Sequence, residues 1–452
     1  MARSSRSSLP EGLSAGPFAA LRRGGTPRGP FSPGFWRSPV RGAPFTSVLG
    51  LVLLVGITVL FLTGLLSYAA YNPDLSPVND KTPGKGILGF YLSSWPTDPP
   101  WLYRLTQGVH VTLGLTLVPV LLAKLWSVVP RLFTLPPARS ITHALERISL
   151  LLLVGGALFE FVTGILNVQL DYLFPGSFYP LHFYGAWVFF GAFVAHAVLK
   201  TPVALRNLRR LREERKGEGE SDEGEHDVGV GVGGGTDGLT APEPDPPTVS
   251  RRGALGLVGG GSLLLFATSA GRSFDGPLRE TAVLTPHGGP EPGTGPNGFQ
   301  INKTAAYAGI RPAETSEEAW RLVVAGRTGT VQLDRAGLLA LPQHSAALPI
   351  ACVEGWSTSD QWWRGVRLRD LAALVGHDDP VDVFVESLQR RGAFRRAALR
   401  ANQVADPRSL LALSVNGEEL SPDHGHPARI IVPGAPGVLN TKWVARLTFG
   451  EL

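Results

Sequence analysis

The spacing of apolar residues divides the chain into two halves. Four apolar runs, Phe45–Tyr68, Leu102–Val129, Ala144–Leu170 and Phe178–Thr201, reach the roughly 20 residues that cross a bilayer as a helix. A fifth, Gly-rich run occupies residues 251–271. Beyond it the period changes. Short alternating runs at Arg321–Ala325, Val381–Glu386 and Ala428–Val432 predict strands, and Arg367–Val375 predicts a short amphipathic helix. Gly and Pro punctuate this half densely. The pattern predicts an N-terminal all-α transmembrane helical bundle over residues 45–201, then a C-terminal α+β domain with many loops over residues 275–452.

Polar segments frame these blocks. Residues 1–44 are rich in Arg, Ser, Gly and Pro without an early apolar core, and predict a disordered tail, not a secretory signal. Residues 202–250 predict a disordered linker, dominated from 213 onward by Glu, Gly, Asp and Pro. Within it Gly229, Gly231 and Gly234 match G-x-G-x-x-G. No predicted strand precedes them and no helix follows at once, so no dinucleotide site is read there.

The formal net charge is +5, and the basic residues flank the apolar runs. Arg37 and Arg41 precede the first run; Lys124, Arg131 and Arg139 lie between the second and third; Lys200, Arg206, Arg209, Arg210 and Arg212 follow the fourth. The loops 69–101 and 171–177 carry only Lys81 and Lys85. This asymmetry predicts a multi-pass protein of the cell membrane with a cytoplasmic N-terminus, a cytoplasmic linker and residues 275–452 outside. It does not read as a nucleic-acid footprint. Tyr68, Tyr71, Tyr91, Trp95, Trp101 and Tyr103 fit an aromatic belt at the outer interface.

Four histidines, His110, His143, His182 and His196, lie in or beside these runs. Any one alone reads equally as a group hydrogen-bonded to a neighbouring helix, but ionisable residues in a membrane are costly and mark function. His182 and His196 are fourteen residues apart in one run. On a helix that spacing puts them within roughly 40° of one face and about 21 Å apart in depth. By topology His110 falls in the outer half and His143 near the inner face. Two cross-helix pairs result, His110 with His182 and His143 with His196, of the kind that holds haem iron in a helical bundle. Over residues 45–200 the chain resembles a b-type cytochrome membrane subunit, of the family that exchanges electrons with quinones. That resemblance implies haem b, one or two, and a membrane quinone as partner. The first run carries no His, unlike many of those subunits. Glu160, deep in the third run, reads either as a proton relay at a quinone site or as a group hydrogen-bonded inside the bundle.

Ser250-Arg251-Arg252 ahead of the fifth run resembles a twin-arginine export signal internal to the chain. An ordinary basic flank before a membrane helix predicts the same topology. The export route carries folded domains, which suits a domain that takes up a cofactor in the cytoplasm.

The chain has one cysteine, Cys352, which cannot form an intrachain disulfide. It reads as a small buried hydrophobe or as a soft thiolate ligand for a redox metal. Its surroundings bear on the choice. C-V-E-G-W-S from Cys352, W-R-G-V-x-L-x-D-L from Trp363, D-H-G-x-P-x-R-x-x-V-P-G from Asp423, and Lys442-Trp443 follow in order. Over about residues 295–450 these resemble the sulfite-oxidase-type molybdopterin domain. Phe299–Thr304 (F-Q-I-N-K-T) is similar to a cofactor-contacting stretch of its bacterial, methionine-sulfoxide-reductase-like branch. The resemblance implies Cys352 as the thiolate ligand of molybdenum. It places Asn302, Lys303, Trp356, Ser357, Arg396, His424, Arg429 and Lys442 around the molybdopterin and its phosphate, where cationic donors are needed. Arg396 belongs to a cluster with Arg390, Arg391, Arg395 and Arg400 that otherwise reads as a solvated helix face. A zinc site at His424 and His426 lacks a third ligand, and an acid–base pair of Asp423 with Glu354 is not required by oxygen-atom chemistry. The chain stops soon after Lys442-Trp443, where many sulfite oxidases continue into an immunoglobulin-like dimerisation domain, so the smaller reductase branch is the nearer resemblance.

Together the resemblances imply a membrane-bound molybdenum oxidoreductase carrying out oxygen-atom transfer outside the membrane, coupled through b haem to the quinone pool. The implied substrate is a small-molecule or protein S-oxide. A sulfite dehydrogenase feeding the respiratory chain stays open, as does a non-catalytic electron carrier or binding module on a membrane anchor.

Overall fold

A computed structural model of the chain describes residues 29–75, 94–133, 140–168, 178–220, 241, 243–273, 277–284, 293, 295–391 and 394–452. Among these, five helices are long and apolar enough to cross a membrane. They are α1 (Ala43–Ala69), α2 (Leu102–Leu132), α3 (Ile141–Val168), α4 (Phe178–Glu220) and α5 (Arg251–Ala267). The apolar residues run all round each helix instead of along one stripe. In α1 the most apolar stretch has a mean hydropathy of 2.7 and only 22% of it is buried by protein, as for a helix whose other faces meet lipid.

The linker expected over residues 202–250 is in part helical. Helix α4 does not end at Thr201 but continues through Pro202 to Glu220. The stretch after Pro202 is rich in Leu, Arg and Glu, whose helix propensity outweighs the one backbone bond that proline removes. Part of the expected tail is also folded: residues Gly29–Phe31, Pro33–Phe35 and Pro39–Arg41 form single 3₁₀ turns. Residues 1–28, 221–240 (with the three glycines of G-x-G-x-x-G), Lys81, Lys85 and Tyr91 lie outside the described residues.

The chain forms two compact units. The smaller is made of segments from within residues 1–50, 123–147 and 202–256. In it Lys124 Nζ donates to Thr46 O at 2.7 Å, and the Arg41 guanidinium lies 4.8 Å from the Trp36 ring and 4.2 Å from that of Trp126. A cation between two indole faces keeps its charge while burying its stem.

The larger unit comprises Leu51–Leu122, Ile148–Thr201 and Leu257–Leu452. Its α+β part holds β1 (Leu322–Gly326), β2 (Gly329–Leu333), β3 (His344–Leu348), β4 (Gln361–Arg367), β5 (Val383–Ser387), β6 (Arg396–Leu399), β7 (Leu410–Val415), β8 (Glu418–Glu419), β9 (Arg429–Ile431) and β10 (Val444–Phe449). One sheet runs β2-β1-β10-β5-β6, antiparallel except for β1 beside β10. The other runs β3-β4-β7-β8, with β9 also paired to β7. The expected strands and the helix, found at Leu368–Ala373, are present within a residue or two. Strand β4 shows the alternation that drives this packing: Trp363 is buried while Trp362 and Arg364 face out. A bulge falls between Arg364 and Gly365, where β4 meets the backbone of β7 too closely for a side chain at 365. Leu322, Val324, Val366, Val385, Leu399, Leu411, Val444 and Leu447 are fully buried in one core cluster.

A second cluster holds Phe299, Leu348, Trp363, Leu410 and Ile431. His424 is stacked on Phe299 with ring centres 3.8 Å apart, and its Nε2 donates to Asn297 O at 2.9 Å. Burial first, then the Arg429 charge, pulls the His424 pKa from 6.5 down to about 3.

Two expectations follow. Leu411→Ala should lower stability of the external domain by about 2–5 kcal/mol, read as a lower denaturant midpoint by tryptophan fluorescence. For His424, the unfolded chain binds a proton below its ordinary pKa of 6.5 that the folded chain refuses until about 3. Stability from this residue is therefore complete above pH 6.5 and falls as pH drops through that window, by at most about 1.4 kcal/mol per unit. Denaturation midpoints at pH 7.5 and 4.5 should differ less in His424→Gln than in the parent.

Candidate functional site

Cys352 lies in the loop between β3 and β4, and the loop closes on itself. The Cys352 N–H donates to Trp356 O at 2.8 Å and the Gly355 N–H to Cys352 O at 3.0 Å. Gly355 has φ of 87°, and a Cβ there would lie 2.8 Å from both Arg272 Nη2 and Val111 Cβ, so only glycine fits. Trp356 is buried and its Nε1 donates to Glu354 Oε2 at 2.5 Å. Ser357 is held by the turn Ala270–Ser273 after α5: its N–H donates to Arg272 O at 3.1 Å and its Oγ to Ser273 O at 3.2 Å. Ser273 Oγ returns a bond to Gly355 O at 2.5 Å, and Arg279 donates to Ser357 O.

The Cys352 residue is 2% exposed. Burial, and then the Glu354 carboxyl beside it, push the thiol pKa well above its ordinary value. Glu354 is itself pushed up by burial, against hydrogen bonds from Trp356 and Cys352 and the charges of Arg272 and Lys303. Such a thiol becomes a thiolate when a cation binds it.

The aromatic residues expected in a lipid-facing belt are largely elsewhere. Tyr71, Trp95 and Tyr103 are buried against Cys352, Val353, Trp356 and Phe394. Trp95 Nε1 donates to Gly434 O at 2.7 Å, and the Tyr71 and Tyr103 hydroxyls are 3.3 Å apart. Rings at these helix ends bury their apolar faces on protein and still satisfy their polar atoms there. Trp101, half exposed, remains compatible with a belt. Further bonds tie helix ends to the external domain: Asn72 Nδ2 donates to Ala398 O and Gln403 Oε1, Arg104 Nε to Ser273 O, and the Gln107 amide to Val353 O.

A cationic group surrounds the thiol loop. Lys442 Nζ donates to Lys303 O at 2.5 Å and Asp423 O at 2.8 Å. Burial, then the charges of Arg429 and Lys303, drive its pKa well down. Arg429, 3% exposed, reaches the carbonyls of His424 and Asn440, and burial lowers its pKa to about 9. Its Nε and both amide atoms of buried Gln300 make no hydrogen bond. Buried cations answered by carbonyls and by the ring faces of Trp363 and Trp443, with no carboxylate bonded to them among the described residues, are costly until an anion joins them. Lys303, Lys442, Arg429 and Gln300 thus fit an anionic, phosphate-bearing cofactor, and Cys352 fits its metal.

Other expected residues fall outside this group. Asn302 is exposed. Arg396 stands exposed on β6 opposite Glu386, so the arginine cluster lies on a strand and loop, not a helix face. Arg400 pairs with Asp74 at 2.5 Å and Arg390 with Glu314. His424, by contrast, adjoins the group: its carbonyl accepts from Arg429 Nη1 while its ring packs on Phe299. His426 contacts Glu419 Oε1 at 3.0 Å and Thr315 O at 3.2 Å.

Residues of α1, α2, α3 and α4 line a cavity together with Val353. Its empty space, the open side included, is about 1360 Å³. His110 and His182 face each other across it, ring centres 6.3 Å apart. His110 Nδ1 donates to Leu60 O at 2.9 Å. His182 Nδ1 lies 3.0 Å from Glu160 Oε2 and 3.1 Å from Thr163 Oγ1. Both rings are therefore anchored through Nδ1, and a metal bound between them would be taken through Nε2. Two such nitrogens about 2 Å from a shared metal ion would set the ring centres about 6 Å apart. Gly64 and Gly164 sit against the two rings, where a Cβ would come within 3.1 Å of His110 and 3.8 Å of His182. The residues fit a bis-histidine haem. His196 is half-buried on α4 and is not among the lining residues; the side chain of His143 lies outside the described residues.

Three participants escaped sequence reasoning: Gln107, Val353 and Arg272. Each left some signal. Gln107 is a polar residue one turn before His110, Val353 adjoins the cysteine, and Arg272 is a lone basic residue just after the fifth apolar run.

Residues 308–451 match the family model described as oxidoreductase molybdopterin binding domain. Over 156 residues the chain is 31% identical to the mitochondrial sulfite oxidase of Mus musculus, covering 28% of this chain and 29% of that protein. Over 144 residues it is 30% identical to an uncharacterized oxidoreductase of Bacillus subtilis, covering 32% of this chain and 71% of the other. The solved sulfane dehydrogenase SoxCD of Paracoccus pantotrophus is 24% identical over 30% of this chain and 39% of that one, with a TM-score of 0.27, too low to argue from. The chain thus spans under a third of the sulfite oxidases it matches, and the matched stretch carries Cys352, Arg429 and Lys442. With its buried thiol and cationic surround inside that stretch, the chain belongs to the family of molybdopterin-binding oxidoreductases, an enzyme joined here to helices of membrane-spanning length.

Proposed function

We propose that the protein is a membrane-bound oxidoreductase that exchanges an oxygen atom with an S-oxide outside the membrane and is coupled through haem b to the quinone pool. One observation carries this reading: Val353, next to the cysteine, also lines the cavity of His110 and His182. Bound molybdopterin supplies two-electron oxygen-atom exchange, and haem supplies single-electron exchange.

The chain's own residues prepare both sites. Cys352 provides the thiolate, while Lys303, Lys442 and Arg429 answer the phosphate of the pterin. Tyr71, Trp95 and Tyr103 exclude water from the thiol, and Trp356 fixes the Glu354 carboxyl beside it. His110 and His182 offer Nε2, and Glu160 orients His182 and raises its basicity as a ligand. His143 and His196 form a second, inner pair, next to the quinone. The N-terminus is cytoplasmic and the molybdopterin domain external.

Sulfite oxidation is the second reading, favoured by the sulfite oxidases among the relatives. It uses the same site in the opposite direction.

His110→Ala and His182→Ala should each lower the reduced b-type absorbance by the share of the outer haem and leave molybdenum content intact; absorbance at the parent level in both would reject the pair. Cys352→Ser should keep that absorbance and lose at least 100-fold in turnover, about 2.7 kcal/mol. Quinol-reduced protein mixed with a dialkyl sulfoxide should reoxidise its haem. Reduction of the haem by sulfite would select the second reading, and no response to either compound would overturn both.

A further inference from the structure

Arg272 is the strongest unexplained group in the protein. It is fully buried, yet Nε, Nη1 and Nη2 make no hydrogen bond. Five donors on a buried, permanently charged guanidinium represent several kcal/mol of lost solvation unless something answers them. The surrounding chain makes the burial deliberate. The Arg272 carbonyl accepts from Ser357 N–H, its neighbour Ser273 bonds Gly355 O, and Arg104 Nε donates to Ser273 O at 2.9 Å. The backbone is pinned on three sides, so the side chain cannot swing out to water without breaking the thiol loop.

Its location is equally specific. Nη2 lies against Gly355, at the point where that glycine meets Val111 of α2. Val111 and Val353 both line the histidine cavity. The guanidinium therefore stands at the seam between the Cys352 loop and the space between His110 and His182. Glu354 is the carboxylate whose charge it feels, but no hydrogen bond joins the two, and Glu354 Oε2 accepts from Trp356 Nε1 instead. The position lies outside the stretch matched by the family model and comes from the segment that follows the fifth helix.

We propose that Arg272 is an anion-binding residue that takes a pair of anionic oxygens at this seam. A planar fork of donors in a dry site matches a carboxylate or a small oxyanion bidentately. Two sources share that chemistry: a carboxylate of a porphyrin in the histidine cavity, or a free oxyanion entering beside the thiol loop. The first rests on the haem reading above; the second does not.

The test uses full-length protein in detergent, as the parent, Arg272→Gln and Arg272→Lys. The haem midpoint potential is measured by redox titration, and thermal unfolding is followed against inorganic sulfate at constant ionic strength. If a porphyrin carboxylate is the ligand, Arg272→Gln lowers the midpoint potential because a positive charge has left the neighbourhood of the ferric form, and Arg272→Lys restores part of the shift. If a free oxyanion is the ligand, sulfate raises the unfolding temperature of the parent and of Arg272→Lys more than that of Arg272→Gln, with equal potentials. An unchanged potential together with an identical sulfate response in Arg272→Gln overturns the proposal. A parent protein without haem absorbance would defeat the haem reading and leave the sulfate comparison to decide this one. Arg272→Lys, which keeps the charge, guards against a variant that merely fails to fold.

Discussion

The polar backbone of the six-residue loop Cys352–Ser357 is the constraint around which the larger unit is built. Cys352 N–H and O are satisfied within the loop itself. Val353 O, Gly355 O, and Ser357 N–H and O are not; they are answered by Gln107, Ser273, the Arg272 carbonyl and Arg279. A buried backbone group left without a partner costs about 1–3 kcal/mol. Four such groups would exceed much of the stability of an ordinary domain. The loop that carries the thiol therefore folds against the ends of α2 and α5 as one structure.

Electrostatics follows the same logic with the opposite sign. Around that loop the chain accumulates Arg272, Lys303, Arg429 and Lys442, and the Arg429 and Lys442 side chains donate to carbonyls instead of carboxylates. Glu354 is the acidic group among them, and burial weakens its charge. In the membrane half an acid faces a ring instead: Glu160 Oε2 lies 3.0 Å from His182 Nδ1. Cationic side chains thus gather at one place and two histidines with an acid at the other, with Val353 common to both surroundings.

Much of this was legible in the residues. Membrane helices were, because about 20 apolar residues admit few other readings. So was the thiol, because separated motifs such as C-V-E-G-W-S and D-H-G-x-P-x-R carry side chains and turns together. The outer histidine pair followed from spacing and topology. Three features were not legible, for definite reasons. Pro202 marked a helix end by local rule, yet strong helix formers carry α4 to Glu220. Tyr71, Trp95 and Tyr103 have the composition of a lipid interface, and their burial depends on a loop around Cys352, far away in sequence. Arg396 lies in a run of arginines whose facing is set by its pairing with Glu386, which no local pattern reveals.

The enclosure of Cys352 bears on how the protein is made. A sulfur beneath Tyr71, Trp95 and Tyr103 offers no open approach to a group as large as a metal-bearing pterin. Loading therefore comes before the C-terminal domain settles on the helix ends, or those surfaces separate to admit the group. By either route the rings close over the sulfur last, and the seat then acts as the lock.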